Sequence, residues 1–141
     1  MKRLAPILLI FASGAAANEA LVDYVVENGA SIPAPLVELD IAEKGGASLF
    51  ASAGCGDCHI TPGVVDGPAI GPDLNGVSDR LTAGEIRLTI VNPAILNPET
   101  AMPAYYAVGV LGAAPEELVG RTRLTAEEVE RLVAWLSAPA D

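Results

Sequence analysis

The chain's two cysteines lie three positions apart and are followed at once by its only histidine, in the segment Cys55-Gly56-Asp57-Cys58-His59. This spacing is typical of covalent haem attachment, in which two thiols add to the vinyl groups of one porphyrin and the adjacent histidine binds the iron. We therefore predict one haem c, with Cys55 and Cys58 as its thioether links and His59 as an axial iron ligand. A chain with this motif has to fold around a large apolar group.

Three other uses of the two cysteines fit the sequence less well. A redox-active pair of the thioredoxin type belongs to a βαβ unit, and the sequence shows no such pattern. A structural zinc site needs four ligands, whereas Cys55, Cys58 and His59 supply three. A plain disulfide would leave the adjacent histidine unexplained.

The second axial ligand is expected to be Met102. There is no second histidine, both cysteines are used by the thioethers, and Met102 is the only methionine besides Met1. The alternative is that Met102 fills a gap in the core, as methionines often do. It lies, however, in a proline-rich strap, Asn92 to Ala104, that could fix the position of its sulfur. Methionine and histidine ligation raises the reduction potential and suits electron transfer.

The segment Gly71-Pro72-Asp73-Leu74 indicates how the histidine could be oriented. A metal-bound histidine normally donates its other ring N–H to a carbonyl or a carboxylate. We predict the Pro72 carbonyl oxygen as this acceptor. The alternative is that the segment is an ordinary turn.

The first residues have the composition of an export signal. Lys2 and Arg3 precede an apolar run that ends in the small residues before Asn18, so we expect cleavage after Ala17 and a periplasmic protein. The run is too short for a membrane span, which needs about 20 residues. With 18 Asp and Glu against 8 Lys and Arg, the formal net charge is −10. This charge disfavours nucleic acid as a partner and favours proteins with a basic face.

Three segments begin with the pattern of a helix capping box, in which a Ser, Thr or Asp precedes a Glu by three positions. The predicted helices are Asp40 to Ala53, a short one after Thr82, and one after Thr125. Apolar residues repeat with helical spacing most clearly in the last. Gly45 and Gly46 lie inside the first predicted helix, which is tolerated where another group must approach the backbone closely.

Proline- and glycine-rich loops connect these helices, and no segment alternates long enough between apolar and polar residues to predict a sheet. The predicted fold class is all-α, with long loops around the haem, because long loops without a function are uncommon in a small domain. The expected organisation is a signal peptide at 1–17, an N-terminal extension at 18–39 and one domain at 40–141. The extension could wrap a partner or form a loose arm.

Beyond the haem motif, distinctive segments cover most of the chain. The most specific are Leu96-Asn97-Pro98-Glu99-Thr100-Ala101-Met102-Pro103-Ala104-Tyr105-Tyr106 and Leu124-Thr125-Ala126-Glu127-Glu128-Val129-Glu130; the others are Val25 to Pro33, Gly71 to Val77 and Arg87 to Pro93. With these segments the chain resembles SoxX, the monohaem subunit of the SoxAX cytochromes of bacterial thiosulfate oxidation. The resemblance implies a class I cytochrome c fold, in which the first and last helices cross with a glycine of one under an aromatic ring of the other. Gly46, Phe50 and Trp135 match those positions.

The resemblance also implies a heterodimer with SoxA, and the two subunits together conjugate thiosulfate to a cysteine of the carrier SoxYZ. The catalytic haem of that family is in SoxA, so we predict no catalytic residue in this chain. It would accept the released electrons and pass them to another cytochrome. Two other functions remain open: a free-standing periplasmic electron carrier with the same haem residues, and a non-haem thiol protein, against which the signal and Met102 argue.

Overall fold

The computed structural model describes residues 24–27, 30–39, 45–61, 70–107 and 121–139. The predicted signal peptide at 1–17 and the predicted capping residues Asp40 and Glu43 lie outside this part of the chain. Within it, no helix combines the length and the apolar character that crossing a membrane requires.

In the described segments, three α-helices form the body of the structure: α1 (Gly46–Ser52), α2 (Ala83–Val91) and α3 (Ala126–Leu136). Single 3-10 turns lie at Cys55–Asp57, Val77–Asp79 and Pro93–Ile95. Two short strands, β1 (Tyr24–Glu27) and β2 (Ala30–Pro33), precede the helices. The predicted helical fold class with long connecting segments is confirmed.

Helices α2 and α3 begin at the predicted capping boxes. The Thr82 hydroxyl accepts a hydrogen bond from the Glu85 backbone N–H at 3.3 Å, and the Glu85 carboxylate accepts one from the Thr82 N–H at 2.8 Å. Thr125 and Glu128 make the same pair of bonds at α3, at 3.2 and 2.8 Å. These bonds satisfy backbone N–H groups that have no partner inside a helix.

The helix predicted from Asp40 to Ala53 does not run unbroken through Gly45. Gly45 has a φ of +86°, in the left-handed region, so the helix that the structure describes begins only at Gly46. A glycine adopts this conformation at little cost, whereas a residue with a Cβ does so rarely. The expectation of a continuous helix through both glycines is therefore wrong, and only the second glycine is part of α1.

Helices α1 and α3 cross at Gly46. A Cβ atom placed on Gly46 would lie 2.2 Å from Cβ of Trp135, closer than any real contact, so a glycine is required for this approach. The rings of Phe50 and Trp135 pack with centroids 5.3 Å apart and a tilt of 57°. The predicted glycine and aromatic contact between the first and last helices is confirmed. Around it lies the core, in which the most completely buried large side chains are Phe50, Leu132, Val91 and Val129.

The strands form an antiparallel hairpin that the sequence reasoning missed. Tyr24 pairs with Pro33 and Glu27 with Ala30, which leaves two residues, Asn28 and Gly29, between the paired ends. Asn-Gly between two strands is a strong hairpin signal.

The N-terminal extension is attached to the helical body at a buried ion pair. The Leu36 backbone N–H donates to Oε1 of Glu130 at 2.9 Å. The Arg87 guanidinium donates to both oxygens of the same carboxylate, at 2.7 and 2.8 Å, and both side chains are 7% exposed. One carboxylate thus joins α2, α3 and the extension, so residues around Leu36 are not part of a loose arm.

Candidate haem site

The two cysteines and the histidine lie on one tight turn directly after α1. The 3-10 turn Cys55–Asp57 begins after Gly54, which has a φ of +75°. The backbone N–H groups of Cys58 and His59 both donate to the Cys55 carbonyl oxygen, at 3.2 and 3.0 Å. Both thiols are free and half-buried. The turn therefore presents two thiols and an imidazole from five consecutive residues.

This turn borders a cavity of about 380 Å³, and Cys55, Cys58, His59 and Met102 all line it. The remaining lining residues are mostly apolar and come from α1, α2, α3 and the loops that contain Pro72 and Met102. They include Phe50, Ile70, Pro72, Leu74, Val77, Leu81, Ile86, Ile90, Leu96, Leu132 and Leu136. An apolar cavity with a few convergent polar groups is the usual form of a cofactor site. The structure thus brings all five predicted site residues, Pro72 included, to one cavity.

The imidazole of His59 is held by the loop that follows it. Its Nδ1 atom lies 2.8 Å from the Pro72 carbonyl oxygen. The ring also packs against Gly71, where an added Cβ would lie 2.4 Å from Cε1 of the imidazole. If Nδ1 carries the proton and donates to the carbonyl, Nε2 keeps its lone pair for a metal ion. The loop therefore sets both the tautomer and the orientation that a metal-bound histidine requires.

Met102 occupies the strap after α2. A 3-10 turn, Pro93–Ile95, starts this strap, and the Met102 N–H donates to the Thr100 hydroxyl at 3.2 Å. The side chain is half-buried at the cavity and does not belong to the buried core cluster. This position agrees with the ligand hypothesis better than with that of a core filler.

Tyr105 is a cavity residue that the sequence reasoning did not single out. Its N–H donates to the Ile90 carbonyl at 3.1 Å, and its carbonyl accepts from the N–H groups of Arg123 and Leu124 at 2.9 and 3.0 Å. Burial, followed by the neighbouring Cys55, raises the pKa of Tyr105 to about 12. Burial also raises the pKa of the Cys55 thiol. Tyr105, and the Cys55 thiol before haem is attached, are therefore neutral near pH 7, which suits an apolar cavity.

Among the residues that the structure describes, no three His, Cys, Asp or Glu side chains cluster as ligands for a metal ion. The zinc alternative therefore has no ligand set there. The donors present are instead those of a haem site: two thiols and an imidazole on one turn, a thioether on the strap, and an apolar cavity between the elements.

The cytochrome c family profile matches residues 43–138 of the chain, which include every lining residue of the cavity. The chain belongs to the cytochrome c family. Among solved structures, this cytochrome is similar to a chain in the crystal structure of SoxXA from P. pantotrophus. The TM-score is 0.65 and the sequence identity 26%, over 82% of this chain and 92% of that chain. No curated protein sequence matches it.

These comparisons confirm two predictions. The resemblance to SoxX is matched by the similarity in fold over most of both chains. The cytochrome c family, together with the Cys55 and Cys58 pair, establishes a single covalently attached haem c.

Proposed function

We propose that this cytochrome is the electron-transfer subunit of a SoxAX-type complex. The observation that carries this proposal is the similarity to the SoxXA chain from P. pantotrophus, which extends over 92% of that chain at a TM-score of 0.65. A generic cytochrome c profile covers only residues 43–138, whereas this similarity covers 82% of the chain and so has to include residues outside that domain. The N-terminal extension, attached through Leu36 and Glu130, is the natural candidate for that additional match.

Within this proposal, His59 and Met102 would bind the iron, and Cys55 and Cys58 would form the thioether links. When bound, the haem would supply a one-electron couple, and the His59 and Met102 pair would favour electron transfer over the binding of oxygen or substrate. The chain's own residues hold the imidazole through the Pro72 carbonyl, hold the thioether through the strap, and exclude water with apolar walls. This arrangement suits electron transfer and gives the chain no catalytic residue.

The partners follow from the same proposal. A second subunit, SoxA, would contain the catalytic haem, and SoxYZ would carry the cysteine that receives thiosulfate. The present chain has only Cys55 and Cys58, so it has no third thiol for that chemistry. It would pass the released electrons to a further cytochrome. The net charge of −10 favours an acceptor with a basic face, and export by the predicted signal would place the complex in the periplasm.

The axial ligand hypothesis is tested by Met102→Ala in the holoprotein. We expect loss of the near-infrared sulfur-to-iron absorption band, a lower midpoint potential, and binding of carbon monoxide by the ferrous form, because the thioether no longer fills the sixth position. Leu96→Ala is the matched control, since Leu96 lines the same cavity from the same strap and is 60% exposed. A band that survives Met102→Ala would show that the methionine only fills space.

The subunit hypothesis is tested by a mild affinity purification of the chain from its native periplasm. The eluate is stained for haem on a gel and assayed for thiosulfate-dependent reduction. A second haem polypeptide and thiosulfate activity are the expected result. A lone haem protein without that activity would instead identify a free-standing electron carrier.

A further inference from the structure

The loop that contains Pro72 is fixed to the haem-attachment turn on one side. The Gly71 N–H donates to the Cys58 carbonyl, and the Leu74 N–H donates to the Ile60 carbonyl, both at 2.8 Å. These two bonds bracket Pro72, whose carbonyl oxygen lies 2.8 Å from Nδ1 of His59. The peptide between Pro72 and Asp73 therefore has to stay in one orientation for the imidazole contact to persist.

The other side of this loop is held by one guanidinium. Arg80 donates from one terminal nitrogen to the carbonyl oxygens of Asn75 and Gly76, at 2.8 and 3.3 Å, and from the other to the carbonyl of Asp73 at 2.8 Å. Its own backbone is fixed by the 3-10 turn Val77–Asp79, since the Arg80 N–H donates to the Val77 carbonyl at 3.0 Å. The Asp73 carbonyl is the next one along the chain after that of Pro72.

The geometry of a guanidinium makes this arrangement specific. Its N–H groups form a rigid planar fork, so it can bind several carbonyls in fixed relative positions, whereas an ammonium acts as a compact point charge on a flexible stem. Hydrogen bonds from a charged donor are also stronger than those between neutral groups. Three loop carbonyls held by one cation leave the loop little freedom to rotate the peptide that precedes Asp73.

We propose that Arg80 is a positioning residue for the axial histidine. By holding the Asp73, Asn75 and Gly76 carbonyls, it keeps the Pro72 carbonyl aligned with Nδ1–H of His59. That hydrogen bond increases the basicity of the imidazole, so it favours the oxidised iron and lowers the reduction potential. The inference rests on the proposed function, because it requires His59 to be an iron ligand. The competing explanation is that Arg80 stabilises the loop and has no influence on the imidazole.

The experiment compares Arg80→Lys with the wild-type holoprotein. Lysine keeps the positive charge at position 80, so a change in potential cannot come from removing that charge. We expect the midpoint potential to rise, and exchange of the hyperfine-shifted His59 Nδ1 proton with solvent to become on the order of tenfold faster, as loss of a charge-assisted hydrogen bond implies. Arg131→Lys is the control, because Arg131 is an exposed arginine of α3 that pairs with Glu127.

Three outcomes have distinct meanings. A higher potential and faster proton exchange in Arg80→Lys, with neither change in Arg131→Lys, would support the positioning role. A lower thermal midpoint with an unchanged potential and unchanged exchange would overturn it and leave Arg80 a stabilising residue. If the carbon-bound ring protons of His59 showed no hyperfine shift in the oxidised wild-type protein, His59 would not be the iron ligand, and that result would overturn the ligand proposal and this inference together.

Discussion

Two regions of the molecule are stabilised in different ways. One is the corner where α1 and α3 cross at Gly46; the other is the wall of the haem cavity that the loops at 70–81 and 92–105 form. At the corner, Phe50, Val129 and Leu132 are almost completely buried by other side chains of the protein. In the loops that form the wall, apolar side chains are exposed: Ile70 is 69% exposed and Leu96 is 60% exposed. The corner is a fully buried hydrophobic core, whereas the wall presents apolar surface to the haem cavity.

Along the wall, where few side chains are buried, backbone hydrogen bonds hold the loops in place. The strap is held by short turn bonds, such as those from the N–H groups of Leu96 and Asn97 to the Pro93 carbonyl, both at 3.0 Å. Such bonds contribute only about 0.5–1.5 kcal/mol each. The difference teaches that the helices bury one another in a common core, while apolar residues of the loops gain their burial from the cofactor.

The largest effect is expected when haem attachment is prevented. We expect the double variant Cys55→Ser/Cys58→Ser to lose haem and, with it, most of the protein's cooperative unfolding. Each large apolar side chain left in water forfeits about 1.5–3 kcal/mol. The summed loss for a few such side chains along the wall is therefore similar to a typical free energy of unfolding, about 5–15 kcal/mol. Hydrogen exchange measured by mass spectrometry should show the loss of protection first in residues 70–81 and 92–105.

Asp57→Asn is the control for this experiment, because Asp57 lies within the same motif but is exposed. It should retain haem and normal exchange. Equal protection of wall and corner in the haem-free variant would break the comparison, since the loops would then be stable without the cofactor.

The buried carboxylate of Glu130 gives the next largest effect, on the corner side. Removing one member of a buried ion pair leaves the other charge uncompensated and typically costs about 3–5 kcal/mol. Glu130→Ala also removes the acceptor for the Leu36 N–H. We therefore expect a loss of this size in chemical denaturation and increased proteolysis of the extension near Leu36.

Glu127→Ala is the matched control, because Glu127 lies on the same helix as Glu130 and also pairs with an arginine, Arg131, but is exposed. Exposed pairs contribute about 0–1 kcal/mol, so this variant should be nearly neutral. Similar losses for Glu127→Ala and Glu130→Ala would mean that burial of the ion pair does not determine its contribution.

A smaller loss is expected at the helix crossing. Gly46→Ala would place a Cβ atom 2.2 Å from Cβ and 2.5 Å from Cγ of Trp135. Overpacking of this kind costs about 1–3 kcal/mol. We expect a lower thermal midpoint for the holoprotein, with the haem spectrum unchanged, because the strain falls on the corner and not on the ligands. The exposed Ser48→Ala on the same helix is the control; an equal effect from both would exclude the steric explanation.

The corner was largely predictable from the sequence. Capping boxes at Thr82 and Thr125 act over three residues, so they were visible without any tertiary information. The crossing of Gly46 and Trp135 came from the resemblance, since no local pattern connects two residues so far apart. The break at Gly45 was not predicted because Gly45 and Gly46 look alike in the sequence, and only the left-handed backbone conformation of Gly45 distinguishes them.

The wall was predictable only in its chemistry. The motif and Met102 identified four residues of the cavity, Cys55, Cys58, His59 and Met102, because haem chemistry restricts residue types strongly. The contributions of Arg80 and Tyr105 could not be predicted, and neither could the Glu130 and Arg87 pair at the corner. They depend on which carbonyls and side chains the loops bring together, and loop conformation has no periodic signal in the sequence.

The smallest effect should appear as a pH dependence at the start of α2, which borders both regions. Hydrogen bonds from the Thr82 backbone N–H and hydroxyl lower the pKa of Glu85 below its ordinary value of 4.5. A carboxylate with a lowered folded-state pKa contributes stability that is present above the ordinary pKa and lost as the pH falls through the folded-state value. We therefore expect the difference in thermal midpoint between wild type and Glu85→Gln to shrink below about pH 4.5, because glutamine can cap without titrating.

Thr82→Ala sharpens this measurement, since it removes the hydroxyl that donates to Glu85 at 3.0 Å but keeps the carboxylate. In that background the pKa of Glu85 should lie closer to its ordinary value, and the pH dependence should move to higher pH. Hydrogen exchange at low pH then separates the two regions. If the cavity loops lose protection at a higher pH than α3 does, the capping box supports the wall. If the loops and α3 lose protection at the same pH, α2 unfolds together with the corner.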